Sequence, residues 1–191
     1  MAFKKFSTNG YAPFDMKFDG LGFVFKGNAA ADAITGTHHA DHLSGGGGDD
    51  NLNAGAGNDL LNGGTGNDVL RGGAGTDTFI FSADLDKAGI DRIADFNGKI
   101  GEKIMLNAYV FEAVEVSPKL PVDEKARDRG GLDVSNFVVG KTAQDADDHI
   151  VYDQATGALY YDADGNGAGA AVQFAQLKVG TVLKADYFLV F

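Results

Sequence analysis

The sequence predicts an all-β fold, a parallel β-roll of six nonapeptide repeats between an N-terminal cap and a C-terminal antiparallel β cap. Three observations carry that prediction. Asp32, Asp41, Asp50, Asp59, Asp68 and Asp77 recur every nine residues. Each is followed two places later by a large apolar residue: Ile34, Leu43, Leu52, Leu61, Leu70 and Phe79. Glycines then fill fixed positions between these rungs. A short repeat held in register dictates architecture before any propensity argument.

The six units read GNAAADAIT, GTHHADHLS, GGGGDDNLN, AGAGNDLLN, GGTGNDVLR and GGAGTDTFI, close to GGxGxDxUx with U large and apolar. In the last four, glycine stands at positions two and four, as Gly46 and Gly48, Gly55 and Gly57, Gly64 and Gly66, Gly73 and Gly75. A tight turn there needs positive φ or close backbone approach, which only glycine tolerates cheaply. The remaining three residues suffice for a very short strand with one inward side chain. Two nonapeptides therefore make one circuit, with turns on alternating sides and two thin parallel sheets facing across the apolar ladder.

Six side chains make a thin core for so much ordered chain, so another agent must hold the coil. Residues 27–80 contain seven aspartates and one arginine on a backbone rich in turn carbonyls. Carboxylates and carbonyls are the oxygen donors that calcium prefers. An acidic turn with no metal role would not keep register with an apolar ladder over six units.

At these residues the sequence resembles the RTX family, the hemolysin-type glycine-rich nonapeptide proteins. The resemblance implies calcium ions between each turn and the next turn on the same side, two repeats on, so that six repeats offer up to four interior sites. The implied metal-binding positions are Gly45, Gly47, Asp49 and Asp50 in unit three, and Ala54, Ala56, Asn58 and Asp59 in unit four. Unit five supplies Gly63, Thr65, Asn67 and Asp68, and unit six Gly72, Ala74, Thr76 and Asp77. Asp32 and Asp41 join them from degraded turns, where Ala30 and His39 replace the position-four glycine and Asn28 and Thr37 the position-two glycine. The strongest pairs are units three with five and four with six.

Composition agrees. The 191 residues carry a net charge of −11, with a pI near 4.6. That balance argues against nucleic acid, which needs a basic footprint. Cysteine is absent, so metal takes the place of disulfides in stapling a small extracellular domain. The N-terminus, MAFKKFSTNGYAPFDMKF, lacks the apolar stretch of a secretory signal. No segment approaches the ~20 apolar residues of a membrane span. The resemblance implies export from a Gram-negative bacterium by type I secretion machinery that reads an uncleaved C-terminal signal, and residues 186–191, Asp-Tyr-Phe-Leu-Val-Phe, match the usual acidic-then-apolar ending. The same residues would equally serve as a final edge strand. A chain whose folding depends on calcium stays unfolded in a low-calcium cytosol and folds once outside.

The flanks read as caps. Residues 1–26 carry Phe3, Phe6, Phe14, Phe18, Phe23 and Phe25 and would cover unit one, or present an aromatic ligand surface. Residues 27–81 form the roll and 82–191 the C-terminal region. There Asp95, Phe96, Gly101, Glu102 and Lys103 match the family's continuation, with glutamate where aspartate is usual. Residues 117–133 hold two of the three prolines and eight charged residues and read as an exposed loop. From residue 148 an antiparallel meander is expected. Its turn at Asp162, Asp164, Asn166 and Gly167 opens like an EF-hand loop, D-x-D-x-N-G. Gln173 stands at the twelfth position, and strands flank the turn, which favours a simple hairpin.

His38, His39 and His42 are enough imidazoles for a transition metal, but loop and strand placement favours a solvated turn. No HExxH, GxSxG or cysteine nucleophile is present. Two functions remain: a non-catalytic secreted calcium-binding protein acting at a surface, in matrix or on a host, or a secretion and folding module associated with an extracellular protease, lipase or polysaccharide-modifying enzyme. Met1 and the 26-residue lead favour a complete small protein. Binding of acidic polysaccharide is compatible with the first reading.

Overall fold

The computed structural model describes residues 15–18, 22–117 and 130–191. Phe3, Phe6 and Phe14 of the expected cap, and residues 118–129 of the expected charged loop, lie outside the described residues.

The nonapeptides fold as the periodicity requires. Strand β1 (Asp15–Phe18) shares a sheet with β2 (Phe23–Lys26), and from there β3 (Ala33–Thr35), β4 (His42–Gly47), β5 (Asn51–Ala56), β6 (Leu60–Thr65), β7 (Val69–Ala74) and β8 (Thr78–Phe81) alternate between two sheets. In one, β2, β4, β6 and β8 lie side by side; in the other, β3, β5 and β7. All these neighbours pair in parallel, with Leu43 opposite Leu61 and Leu52 opposite Leu70. The apolar ladder fills the space between the sheets: Ile34, Leu43, Leu52, Leu61, Leu70 and Phe79 are all buried.

Strands β4 to β7 are six residues long, not three, because each runs on into the first three residues of the next unit. The position-two glycine sits inside this extension and bends the chain into the turn. All eight glycines at positions two and four have φ between 89 and 143°. Stacking adds a second constraint. At Gly64 a Cβ would stand 2.1 Å from the Gly46 carbonyl oxygen.

The roll begins before unit one and continues past unit six. β1 and β2 form an antiparallel hairpin, and β2 pairs in parallel with β4, placing Phe25 opposite Leu43 as an earlier core rung. After β8, a short helix α1 (Leu85–Ala88) enlarges one turn before β9 (Asp91–Ile93) joins β7. A 3-10 turn at Gly98–Ile100 then leads to β10 (Lys103–Leu106), parallel to β8. Ile93 and Ile104 are buried as two more rungs.

The C-terminal region shares both sheets. β13 (Ile150–Asp153), β14 (Ala158–Tyr161) and β15 (Val172–Gln176) form the expected antiparallel meander, and β15 docks in parallel on β9. β12 (Phe137–Val139) pairs in parallel with β13. The closing strand β16 (Phe188–Val190) leaves the meander for the other sheet. There it lies parallel to β10 and is flanked by the two-residue strand β11 (Gly130–Gly131). The expected antiparallel cap is therefore partly parallel, because Phe188 and Val190 extend the roll's apolar core; both are buried. Phe81, Phe111, Phe174 and Tyr161 close that core with edge-on rings about 5 Å apart.

Candidate metal centre

The position-six aspartates stand in two columns, one on each side of the roll. Asp32, Asp50 and Asp68 line one side, and Asp41, Asp59 and Asp77 the other. Each carboxylate is buried, and one of its oxygens has a fixed task. Asp50 Oδ1 accepts from the Asp32 backbone N–H at 2.7 Å, Asp59 Oδ1 from Asp41 at 2.7 Å, Asp68 Oδ1 from Asp50 at 2.7 Å and Asp77 Oδ1 from Asp59 at 3.0 Å. Asp41 Oδ1 likewise accepts from Phe23. The aspartate thus ties each turn to the turn below through one carboxylate oxygen and keeps a second.

The second oxygen separates the good repeats from the degraded ones. Oδ2 of Asp50, Asp59, Asp68 and Asp77 is buried with no hydrogen-bond partner. In the degraded units protein donors occupy that oxygen: Asp32 Oδ2 accepts from Asn28 N at 2.9 Å and Asn28 Nδ2 at 3.0 Å, and Asp41 Oδ2 accepts from Thr37 N and from Thr37 Oγ1 at 2.9 Å. The residues that replaced the position-two glycines supply these donors. A buried carboxylate oxygen without a donor is costly, and four in register point to a cation as the missing partner. The donor set fits a hard divalent ion such as calcium.

Electrostatics agree. Burial, followed by neighbouring carboxylates, pushes Asp50 up to about 7 and Asp59 up to about 6. Burial likewise raises Asp68 and Asp77. These turns disfavour bare negative charge, which a proton or a metal ion would relieve.

Position five does different work. Asp49 Oδ1 accepts from Asn67 N at 2.7 Å, Asn58 Oδ1 from Thr76 N at 2.9 Å and Asn67 Oδ1 from Ile90 N at 3.0 Å. These side chains bridge successive turns, so a metal contact from Asn58 or Asn67 would come through the main chain, whereas Asp49 engages only Oδ1 and keeps its second carboxylate oxygen. The position-one and position-three candidates, Gly45, Gly47, Ala54, Ala56, Gly63, Thr65, Gly72 and Ala74, line the same turns and can offer only carbonyls, apart from the Thr65 hydroxyl. Among the described residues no three His, Asp or Glu side chains converge as a metal-binding group, so an ion in these turns would draw mainly on carbonyl oxygens. His38 and His39 lie with ring centroids 4.0 Å apart and their planes tilted by 41°, and His42 lies on β4; the three do not converge as a metal-binding group.

Two carboxylates escaped the nine-residue reading. Asp91 accepts from the Asp68 backbone N–H at 3.0 Å, and Arg92 N donates to Asp68 O, so Asp91 occupies the next rung of the first column. The backbone of Glu102 occupies the next rung of the second, since Lys103 N donates to Asp77 O, while its carboxylate accepts from Asn97 N at 2.7 Å. Both are buried. Burial, then nearby aspartates, raises Asp91, and burial pushes Glu102 up to about 7. The signal was present as D-x-I at 91–93 and E-x-I at 102–104, but the enlarged turns break the period. Asp95, which matched the family continuation, caps unit six by accepting from Gly72 N and Gly73 N, each at 3.1 Å. Phe96 packs on Phe79.

The repeat region and the fold resemble known proteins. A family model for the RTX calcium-binding nonapeptide repeat matches in four copies, over residues 24–52, 44–79 and 53–86. The fold is similar to the solution structure of the AlgE6R2 subunit of the Azotobacter vinelandii mannuronan C5-epimerase, at 25% identity and a TM-score of 0.51, covering 86% of this chain and 91% of that one. The AlgE6R3 subunit of the same epimerase is similar at 27% identity and a TM-score of 0.49, covering 85% and 79%. No curated protein matches.

Proposed function

We propose, for a chain whose residues 24–86 carry RTX calcium-binding nonapeptide repeats, that it is a secreted module which calcium folds outside the cell and which acts by binding, without chemistry of its own. The observation that carries this reading is the set of four buried, unpartnered oxygens on Asp50, Asp59, Asp68 and Asp77. Two ions would lie between units three and five and between units four and six, held by these carboxylates and by turn carbonyls. Asp91 and Glu102 extend the same columns and would complete further sites with units five and six. Asp32 and Asp41, already satisfied by Asn28 and Thr37, are the weakest contributors.

The physical logic supports export before folding. Unneutralised, the buried carboxylates oppose the roll; millimolar calcium outside the cell removes that opposition and links folding to location. No helix of the described residues is long and apolar enough to cross a membrane. Type I export, with residues 186–191 as signal, belongs to the same proposal.

A calcium titration followed by circular dichroism tests it. The expected result is a cooperative gain of β structure at millimolar calcium, reversed by chelator; an unchanged spectrum in chelator would sink the calcium-scaffold reading.

A second reading has its own support. The likeness to a repeat subunit of a polysaccharide-modifying enzyme extends over 86% of this chain, which favours a module that works beside such an enzyme or on an acidic polysaccharide. Retention of the calcium-loaded protein on an acidic-polysaccharide column separates this from a pure calcium-binding role.

A further inference from the structure

The β14–β15 hairpin carries a polar group that the meander does not explain. Asp162 is only 6% exposed, and its Oδ1 has no hydrogen-bond partner. Asp164 offers its backbone N–H to the Asp162 side chain, but its own carboxylate is an acceptor beside Asp162 and leaves Oδ1 without a donor. Burial, and then Asp164, hold Asp162 above the ordinary carboxylate range. The adjacent imidazole is engaged elsewhere, since His149 Nδ1 lies 2.8 Å from the Asp162 backbone carbonyl.

The loop is built around the second carboxylate. Asp164 Oδ2 accepts from Gly169 N at 2.9 Å, and a Cβ at Gly167 would stand 2.0 Å from that oxygen. A neighbouring acidic loop packs on it: Asn166 N donates to Asp145 O at 2.9 Å and Asn166 Nδ2 to Gln144 O at 3.2 Å. Asp145, Asp147 and Asp148 all lie in that loop. Gln173 does not close the loop, because its Nε2 donates to Ala175 O and Gln176 Oε1 on β15.

We propose that the Asp162–Asn166 turn is a second, independent calcium site, in which Asp162 and Asp164 supply the carboxylates and main-chain oxygens the remaining donors. With only two carboxylates and no bidentate glutamate, it belongs with extracellular calcium modules, with a Kd of roughly 0.1–1 mM. It lies outside the roll, so the roll's sites stand whether or not this one does.

Tyrosine makes the site readable. Tyr160 and Tyr161 directly precede Asp162, whereas residues 27–81 contain no tyrosine. Terbium added to the full-length protein and excited through tyrosine should luminesce from the hairpin, and calcium should quench it. Asp164→Asn, which keeps an oxygen for Gly169 N, should remove most of that emission and one bound calcium per chain. The calcium-induced circular dichroism change of the roll should stay at its native midpoint. Unaltered emission and stoichiometry in Asp164→Asn overturn the site. Loss of the roll's transition in both Asp164→Asn and Asp162→Asn also overturns it, because these carboxylates would then serve folding rather than a separate ion.

Discussion

At the scale of single residues, a buried aspartate oxygen is either satisfied by protein donors or left without one. Asp68 Oδ2 has no partner, while Asp32 Oδ2 has two donors from Asn28. Asp68→Ala or Asp59→Ala should therefore raise the calcium midpoint of folding severalfold, and Asp32→Ala much less; equal shifts would contradict this ranking. The same burial gives a sign to the pH dependence. Asp50 near 7, Asp59 near 6 and Glu102 near 7 hold protons in the folded chain that unfolded carboxylates release near pH ~4. Their contribution in chelator is thus fully present below pH ~4 and lost as pH rises through about 6 to 7. Acidifying the chelated protein from pH 8 to 5.5 should increase its β signal. Calcium must displace those protons, so its midpoint should rise over the same interval, as titrations at the two pH values would reveal.

At the scale of elements, each turn is defined by what its glycines permit. Gly64 combines φ of +105° with a Cβ position 2.1 Å from the Gly46 carbonyl. Gly64→Ala should cost about 1–3 kcal/mol in calcium-saturated unfolding, whereas Gly131→Ala, with nothing within 4 Å, should stay within about 0.5 kcal/mol. Comparable losses at both positions would show that turn geometry is not what the repeat glycines protect. The turns also explain why β4 to β7 outrun the three residues allotted to them. Position-two glycines keep the backbone paired past the apolar rung, as the Gly46–Gly64 and Gly55–Gly73 registers show.

At the scale of the whole molecule, the two sheets run without a break from β2 to β16 and from β3 to β12. Hydrogen exchange in calcium should protect β6, β8, β10 and β16 to a similar degree and release them together in chelator. Separate loss of β16 would show that the C-terminal strands fold alone. The sequence by itself determined the roll: the six-unit period, the alternation of sheets, the apolar ladder and the paired columns through Asp77. A strict repeat makes local pattern and three-dimensional stacking the same information. Only the tertiary structure decided what the period does not reach. Asp91 follows Asp68 by 23 residues instead of 18, so only β9 pairing on β7 reveals it as a rung, and Glu102 emerges by the same route through β10. Likewise, Asp32 and Asp41 keep register in sequence, yet the folded turns bring Asn28 and Thr37 onto their carboxylates. Partner atoms, not spacing, determine which aspartates keep an unpartnered oxygen.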